Sequence, residues 1–322
     1  MNFGIIQNIR ILAYLGYVLL LLAGGCAQNP AEELPQKKVS IVETDTGYQL
    51  TKDGLPFFVK GACVGDAYWA EFKAAGGNTI RIYDPSNLRE KLDRADSLGL
   101  MVAVDIPLPR YNEEDNWYAD PENTAQVTRR IVELVTTNRD HPALLFWILG
   151  NEVYPISVSG NDFITQFNTW VALIRDLDPQ HPVTSAFPGI GRRMIASKSL
   201  NSPNLHFLGL NSFGSVSSMD TRLAQLSPFW RGPFMLTEWG TNGPWEARET
   251  TSWEAPVEQT STKKAEIFRE RYRQTRELFL ERFLGSFIFY WGQKEERTPT
   301  WFSTFLPDGR PTQVIDEAAG FF

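Results

Sequence analysis

The stretch NTIRIYDPSNLREKLDRADSLGLMVAVDI, residues 78–106, holds an apolar run at Asn78–Tyr83, helix-spaced apolar residues within Asn87–Leu98, and a second apolar run at Leu100–Ile106. Short apolar runs on either side of a segment with apolar residues three and four apart read as strand, helix, strand. The same alternation continues in both directions. Further strand-like runs lie at Pro56–Cys63, Ala143–Leu149, Pro182–Phe187, Leu205–Leu210, Phe234–Thr237 and Phe287–Trp291, making eight. Further helix-period segments lie at Thr124–Thr137, Phe163–Leu177 and Lys263–Arg282. This repetition predicts an α/β fold, a closed parallel (β/α)8 TIM barrel. An open doubly wound sheet would carry a glycine-rich phosphate loop after its first strand, and Gly61-Ala62-Cys63-Val64-Gly65 has no such fingerprint. Ahead of the barrel, Val39–Phe57 alternates apolar and polar residues around Lys52-Asp53-Gly54 and predicts a short N-terminal β-hairpin.

The N-terminus has a different character. Arg10 is followed by the apolar run Ile11–Leu22 and then Ala23-Gly24-Gly25-Cys26. The run is shorter than the roughly 20 residues of a spanning helix and ends in small residues, as an export signal does. It resembles a bacterial lipoprotein signal, in which the cysteine after small residues is lipidated. The division expected is therefore 1–25 signal peptide, 26–38 polar tether and 39–322 barrel with its hairpin, with Cys26 the lipidation site and the protein anchored by lipid in the cell envelope, at the outer membrane or facing the periplasm where the source has one. With Cys26 lipidated, Cys63 has no disulfide partner, since the chain has 2 cysteines. Without Arg10 the formal charge moves from −7 to −8, which argues against nucleic acid as a partner.

In a barrel of this class the site lies at the C-terminal ends of the strands, so the polar residues that follow each apolar run are the candidates. They include Asp66, Arg81 with Tyr83 and Asp84, Asp105, Asn151 with Glu152, Asn211, Glu238, and Trp291 with Gln293 and Lys294. Glu152 follows Trp147-Ile148-Leu149-Gly150-Asn151 at the end of the fourth strand, and Glu238 follows Met235-Leu236-Thr237 at the end of the seventh. Two carboxyls across a barrel mouth are what glycoside cleavage needs: one protonated to release the leaving oxygen, one ionised to attack the anomeric carbon. Arg81, at the end of the second strand, is placed to hold a carboxylate ionised, and Trp147 and Tyr154 to wall Glu152 as the neutral acid. Glu238 is thus the expected nucleophile and Glu152 the acid/base.

A family resemblance joins these residues. Asp140–Glu152 is similar to the fourth-strand motif of the β-galactosidase and β-glucuronidase type barrels of glycoside hydrolase family 2, within clan A of retaining glycosidases. Gly76–Tyr83 resembles the clan's second strand, and Phe234–Gly240 its nucleophile strand. The resemblance implies that Asn151 binds the sugar 2-hydroxyl, that Arg81 contacts the nucleophile, and that Trp291 floors the sugar site. Asn211, Tyr83 and Trp239 are further candidates for substrate contact, with Trp245 and Trp301 as candidate stacking platforms. Clan members place a Tyr after the sixth strand to hydrogen-bond the nucleophile, whereas Asn211-Ser212-Phe213 puts Phe213 there. Tyr290–Phe302 is also similar to stand-alone barrels acting on β-glucans, including fungal glucanosyltransferases.

The function expected is a retaining glycoside hydrolase acting on β-linked oligo- or polysaccharides, with no cofactor and no metal. A β-glucan transglycosidase using the same residues, or a non-catalytic glycan-binding envelope lipoprotein, are the alternatives. His141, His181 and His206 lack metal-ligand spacing, and Cys63 reads as a small buried apolar residue.

Overall fold

The computed structural model describes residues 38–110, 116–153, 161–190, 204–228, 230–278 and 281–322. The signal and tether expected before Lys38, with Cys26, and Tyr154 after Glu152, lie outside the described residues. No helix among the described residues is long and apolar enough to cross a membrane.

Eight parallel strands close the barrel: β4 (Val59–Val64), β5 (Thr79–Ile82), β6 (Met101–Ile106), β7 (Leu144–Asn151), β8 (Val183–Phe187), β9 (Leu208–Asn211), β10 (Phe234–Trp239) and β11 (Phe283–Trp291), in that order around the ring. The strands before them, β1 (Val39–Thr44), β2 (Gly47–Lys52) and β3 (Leu55–Pro56), form a separate antiparallel sheet. The helices are α1 (Trp69–Ala74), α2 (Leu88–Ser97), α3 (Pro121–Asn138), α4 (Asn161–Leu177), α5 (Met219–Leu226), α6 (Ser261–Leu278) and α7 (Gln313–Phe321). All eight predicted strands are present. The eighth starts at Phe283, four residues before the expected run at Phe287.

The strands divide their side chains between two cores by simple alternation. Val102, Val104 and Ile106 of β6 pack outward with Ile80 and Ile82 of β5 against the helices. Met101 and Ala103 turn inward to join Val59, Leu145, Phe146 and Phe287 in the barrel interior. Phe146 meets Phe207 and Phe287 edge to face at 5.2 and 6.2 Å, so rings from three parts of the barrel wall fill its middle. Outside, α3 shows why a helix forms where its period predicts one. Pro121 opens it, the Asp120 carboxylate accepts from the Glu122 and Asn123 amides at 2.8 and 3.2 Å, and Val127, Ile131 and Val135 repeat every fourth residue on the buried face.

The small sheet closes the bottom of the barrel. Val39 and Leu50 belong to the interior core, the Val39 amide donates to the Gln180 carbonyl before β8, and the Tyr48 amide donates to the Glu281 carbonyl before β11. The predicted hairpin is thus a three-stranded meander. Its first turn falls at Asp45-Thr46, and Lys52-Asp53-Gly54 makes the second, with Asp53 and Gly54 both at positive φ.

Truncation of the central ring tests this core. Phe146→Ala removes a fully buried side chain that bridges β7 to β11. It is expected to lower stability by about 3 to 5 kcal/mol, measured by denaturant or thermal unfolding.

Candidate active site

Alternation along β5 and β6 sends Arg81, Tyr83 and Asp105 to the same inner face, one layer above the apolar interior. Arg81 is fully buried, and each of its five N–H groups has a partner. Nε and Nη2 clasp the Asp105 carboxylate at 2.9 and 2.7 Å. Nη2 also donates to Asn151 Oδ1 at 2.9 Å, while Nη1 donates to Glu238 Oε1 at 3.1 Å and the Thr237 carbonyl at 3.0 Å. One side chain from β5 therefore ties together the ends of β6, β7 and β10.

Glu152 and Glu238 are brought to this layer by irregular backbone. Gly150 and Glu152 both take positive φ, 74° and 53°, which turns the chain sharply at the top of β7. A Cβ on Gly150 would lie 2.7 Å from Val153 Cγ2, so glycine is required there on both counts. The Glu152 amide still donates to the Ala186 carbonyl at 2.9 Å, anchoring the turn to β8. On β10 the pairing with β9 shifts register between Leu236 and Glu238. That bulge turns Glu238 inward directly after inward-facing Thr237 and sends Trp239 out.

The two carboxyls have different partners. Glu238 Oε1 accepts from Tyr83 Oη at 2.9 Å as well as from Arg81, and Oε2 has no donor among the described residues. Glu152 Oε1 accepts from Asn211 Nδ2 at 2.9 Å. Asn211 Nδ2 also donates to Asn151 Oδ1 at 3.0 Å, and its own Oδ1 accepts from Thr237 Oγ1 at 2.8 Å. Asn211 bridges Glu152 to the Arg81 network and also lines the larger cavity beside the two glutamates. Asn151 Nδ2 has no partner among the described residues, and Asn151 lines a cavity with both glutamates.

Electrostatics in this layer are set by burial. Desolvation pushes the Glu238 carboxyl up from 4.5 to about 7, while Arg81 and the Tyr83 hydroxyl pull it down and neighbouring Glu152 adds to the rise. Arg81 does contact the Glu238 carboxyl, but burial outweighs its pull. Asp105 is also raised by burial against the pull of Arg81, and Arg81 itself is raised well above its ordinary value by its carboxylate neighbours despite desolvation. Burial pushes the Tyr83 hydroxyl well up, so it stays a donor, and pushes the Cys63 thiol up, which leaves it unreactive.

Several sequence candidates sit elsewhere. Trp291 is fully buried, its Nε1 donates to the Tyr68 carbonyl at 3.1 Å, and it packs edge-on to Phe72 and Phe305. A register shift between Ile288 and Trp291 turns it outward and gives the mouth Phe289 and Tyr290, joined by a cis peptide bond. Trp291 is not a sugar-site floor. Trp239 is likewise a core residue, against Phe268 and Tyr272. Trp147 points outward and donates to Asp178, so it does not wall Glu152. Trp301 is buried and donates to the Asn242 carbonyl. Asp84 makes a local turn with the Ser86 amide at 3.0 Å, while His141 and His181 pair with Asp93 and Asp178. Among the described residues no group of three or more His, Cys, Asp or Glu could hold a metal.

Two cavities, of about 440 and about 430 Å³, share Glu152, Glu238 and Phe289. The first adds Arg222, Trp245, Glu246 and Glu296, the second Tyr83, Asn151, Gln293 and Lys294. Of these, Arg222, Glu246, Glu296 and Phe289 were not legible as site residues in the sequence. Glu246 alone carries a signal, since Gly243-Pro244-Trp245-Glu246 has the spacing of a capping box.

A family model described as glycosyl hydrolases family 2, TIM barrel domain, matches residues 72–240, a span that includes Arg81 and both glutamates. The chain belongs to glycosyl hydrolase family 2. A β-glucuronidase of Streptococcus agalactiae is 27% identical over 124 residues, 35% of this chain and 20% of the relative. Among solved structures, a family 2 β-galacturonidase from Eisenbergiella tayi bound to galacturonate superposes with a TM-score of 0.67 at 18% identity, covering 88% of this chain and 54% of that one. A β-D-glucuronidase of Dictyoglomus thermophilum gives 0.64 at 15% identity, with 88% and 53% covered. This family 2 chain spans about half the length of the similar structures and a fifth of the β-glucuronidase. At these identities the structural likeness establishes the barrel.

Raising the carboxyl of Glu238 has a thermodynamic consequence. A group whose folded value lies above its unfolded value adds stability below about pH 4.5 that is lost as pH rises through about 7. Replacing Glu238 with Gln removes that pH-dependent loss. The variant should melt a few degrees above the parent at about pH 8, with the gap closing toward pH 4.5 in thermal scans across that range.

Proposed function

We propose that this family 2 barrel is a retaining β-glycosidase in which Glu238 is the nucleophile and Glu152 the acid/base. The observation that carries the reading is the asymmetric holding of the two carboxyls. Among the described residues only Glu238 of the two touches the Arg81 guanidinium and a tyrosine hydroxyl, both on Oε1, which leaves Oε2 as the attacking atom. Glu152 is held by a neutral amide and borders both cavities.

In the first step Glu238 Oε2 bonds to the anomeric carbon as the glycosidic C–O bond breaks and Glu152 gives its proton to the leaving oxygen. In the second, Glu152 takes a proton from water or from a sugar hydroxyl, the freed oxygen bonds to the anomeric carbon, and the ester to Glu238 breaks. Two inversions at one carbon retain the β configuration. Asn151, which lines the same cavity and has no partner on Nδ2 among the described residues, can donate to a sugar hydroxyl. Product analysis with an added acceptor sugar separates hydrolysis from transglycosylation.

Glu238→Gln should lower kcat/KM by about a thousandfold or more on every substrate, and Glu152→Gln should act unevenly, sparing aryl glycosides whose leaving groups need no proton. Activity surviving Glu238→Gln undiminished would refute the assignment. Because Glu238 must be ionised to attack, kcat/KM should fall below about pH 7. Tyr83→Phe, which removes a donor from the carboxylate, should move that limb to higher pH.

We also infer export and lipid anchoring at Cys26 in the cell envelope, with 1–25 as the signal and 26–38 as the tether. The support is the order of Arg10, the apolar run Ile11–Leu22 and the small residues before Cys26. Palmitate labelling of the expressed protein should be lost in Cys26→Ser; labelling that persists would exclude Cys26 as the site.

A further inference from the structure

We propose that the cleft takes a neutral β-linked glycan, with a sugar ring stacked on Trp245, and discriminates against hexuronic acids. The proposal rests on the glycosidase reading and departs from the uronide-acting proteins to which the chain is similar.

The first observation is the charge of the wall. The larger catalytic cavity is lined by Glu152, Glu238, Glu246 and Glu296. Its one cation among the described residues is Arg222, whose Nε donates to Ser218 Oγ at 3.0 Å and Nη1 to the Ile190 carbonyl at 2.7 Å. Lys294, on the adjoining cavity, lies 3.2 Å from Glu296 Oε2 and over the Phe289 ring. Lys294 is paired with Glu296, and on the wall of the larger cavity four carboxyl groups stand against a single guanidinium. Where these carboxyls are ionised, as Glu246 and Glu296 are beside the protonated Glu152, they only accept hydrogen bonds, which suits the hydroxyls of a neutral sugar and repels the carboxylate of a uronic acid.

The second observation is an aromatic face left open at the same cavity. Trp245 is 64% exposed although it lines the cavity with the two glutamates. Its ring stands edge-on to Phe213 at 5.6 Å and 89° and lies 6.2 Å from Phe302. The turn that carries it is fixed by Glu246, whose Oε2 accepts from the Gly243 and Gly214 amides at 2.9 and 2.8 Å. A large indole held rigidly with one side in water presents a flat apolar surface that matches the C–H face of a pyranose ring. Stacking of this kind reads ring shape rather than charge and serves a chain of several sugars.

The test uses the purified chain on nitrophenyl β-glucoside, β-galactoside, β-xyloside, β-glucuronide and β-galacturonide, and on laminaritetraose and cellotetraose. The best neutral aryl glycoside should exceed both uronides by about tenfold or more in kcat/KM. Trp245→Ala should raise KM for the better tetrasaccharide by about tenfold and much more than for the aryl glycoside, with Trp245→Phe restoring most of it. A uronide as best substrate, or equal losses on long and short substrates in Trp245→Ala, would overturn the proposal. Labelling of Glu238 by a fluorinated uronic-acid glycoside and not by its neutral counterparts would overturn the substrate class while leaving the glycosidase reading intact. No turnover of any substrate, with Glu238 unlabelled by every such reagent, removes both.

Discussion

A fully buried guanidinium at the top of a barrel sets the terms for everything around it. Arg81 lies between Asp105 and Glu238, and the desolvation of these charges is offset only where opposite charges meet and every N–H finds an acceptor. That demand reaches beyond the ion pairs. The guanidinium needs Asn151 at the end of β7 and the Thr237 carbonyl on β10, so the heights of four strand ends are fixed against one another. Below this layer the barrel is apolar, filled by rings such as Phe146 and Phe287, and above it lies the cleft. The polar layer is the boundary between a part of the molecule that packs and a part that binds.

The arrangement concentrates unfavourable conformations and ionisations where the two glutamates stand. Glu152 occupies a left-handed backbone conformation, of a kind that costs on the order of 1 kcal/mol or more and persists only when its surroundings hold it. Its amide bond to Ala186 and its carboxylate bond to Asn211 supply that hold from two strands. Glu238 is buried enough that desolvation outweighs an adjacent guanidinium. A site that holds one carboxyl on a strained backbone and another against its preferred ionisation is less stable than the same barrel with neutral residues there. Such a balance is what a catalytic role requires of a scaffold.

Much of this was legible in the sequence because a parallel barrel couples period to place. Strand runs ending in Arg81, Asn151-Glu152 and Glu238 put those residues at one end of the fold, and the structure assembles them there. Trp239 and Trp291 were misjudged for one reason. Each follows a bulge that reverses the face its position in the run implies, and alternation in a sequence carries no mark of an extra residue in the ladder. Tyr83 reads in the sequence as a candidate sugar contact. Its bond to a residue 155 positions away depends on how two strand ends meet across the mouth, which no local pattern encodes. The second turn of the N-terminal sheet was legible from Asp53-Gly54, while the first, at Asp45-Thr46, has no comparable signal.

Tyr83 and Phe213 are two sides of one rearrangement. The resemblance to clan A places a tyrosine after the sixth strand, but here that position is occupied by a ring packed against Trp245, Phe289 and Phe302 at 5.6, 5.6 and 5.2 Å. A phenolic hydroxyl at Phe213 would be buried in this aromatic cluster and would need a partner of its own. The β5 face already delivers a donor to Glu238 beside Arg81, with the Arg81 guanidinium 4.4 Å over the Tyr83 ring, so the donor and the cation that it assists are held as one unit. With the donor supplied beside β5, the position after β9 is wholly apolar. That apolar cluster, joined to Trp301 and Phe302, is what props Trp245 at the lip of the cleft. The same exchange that satisfies the buried carboxylate therefore also builds the open aromatic wall of the cavity.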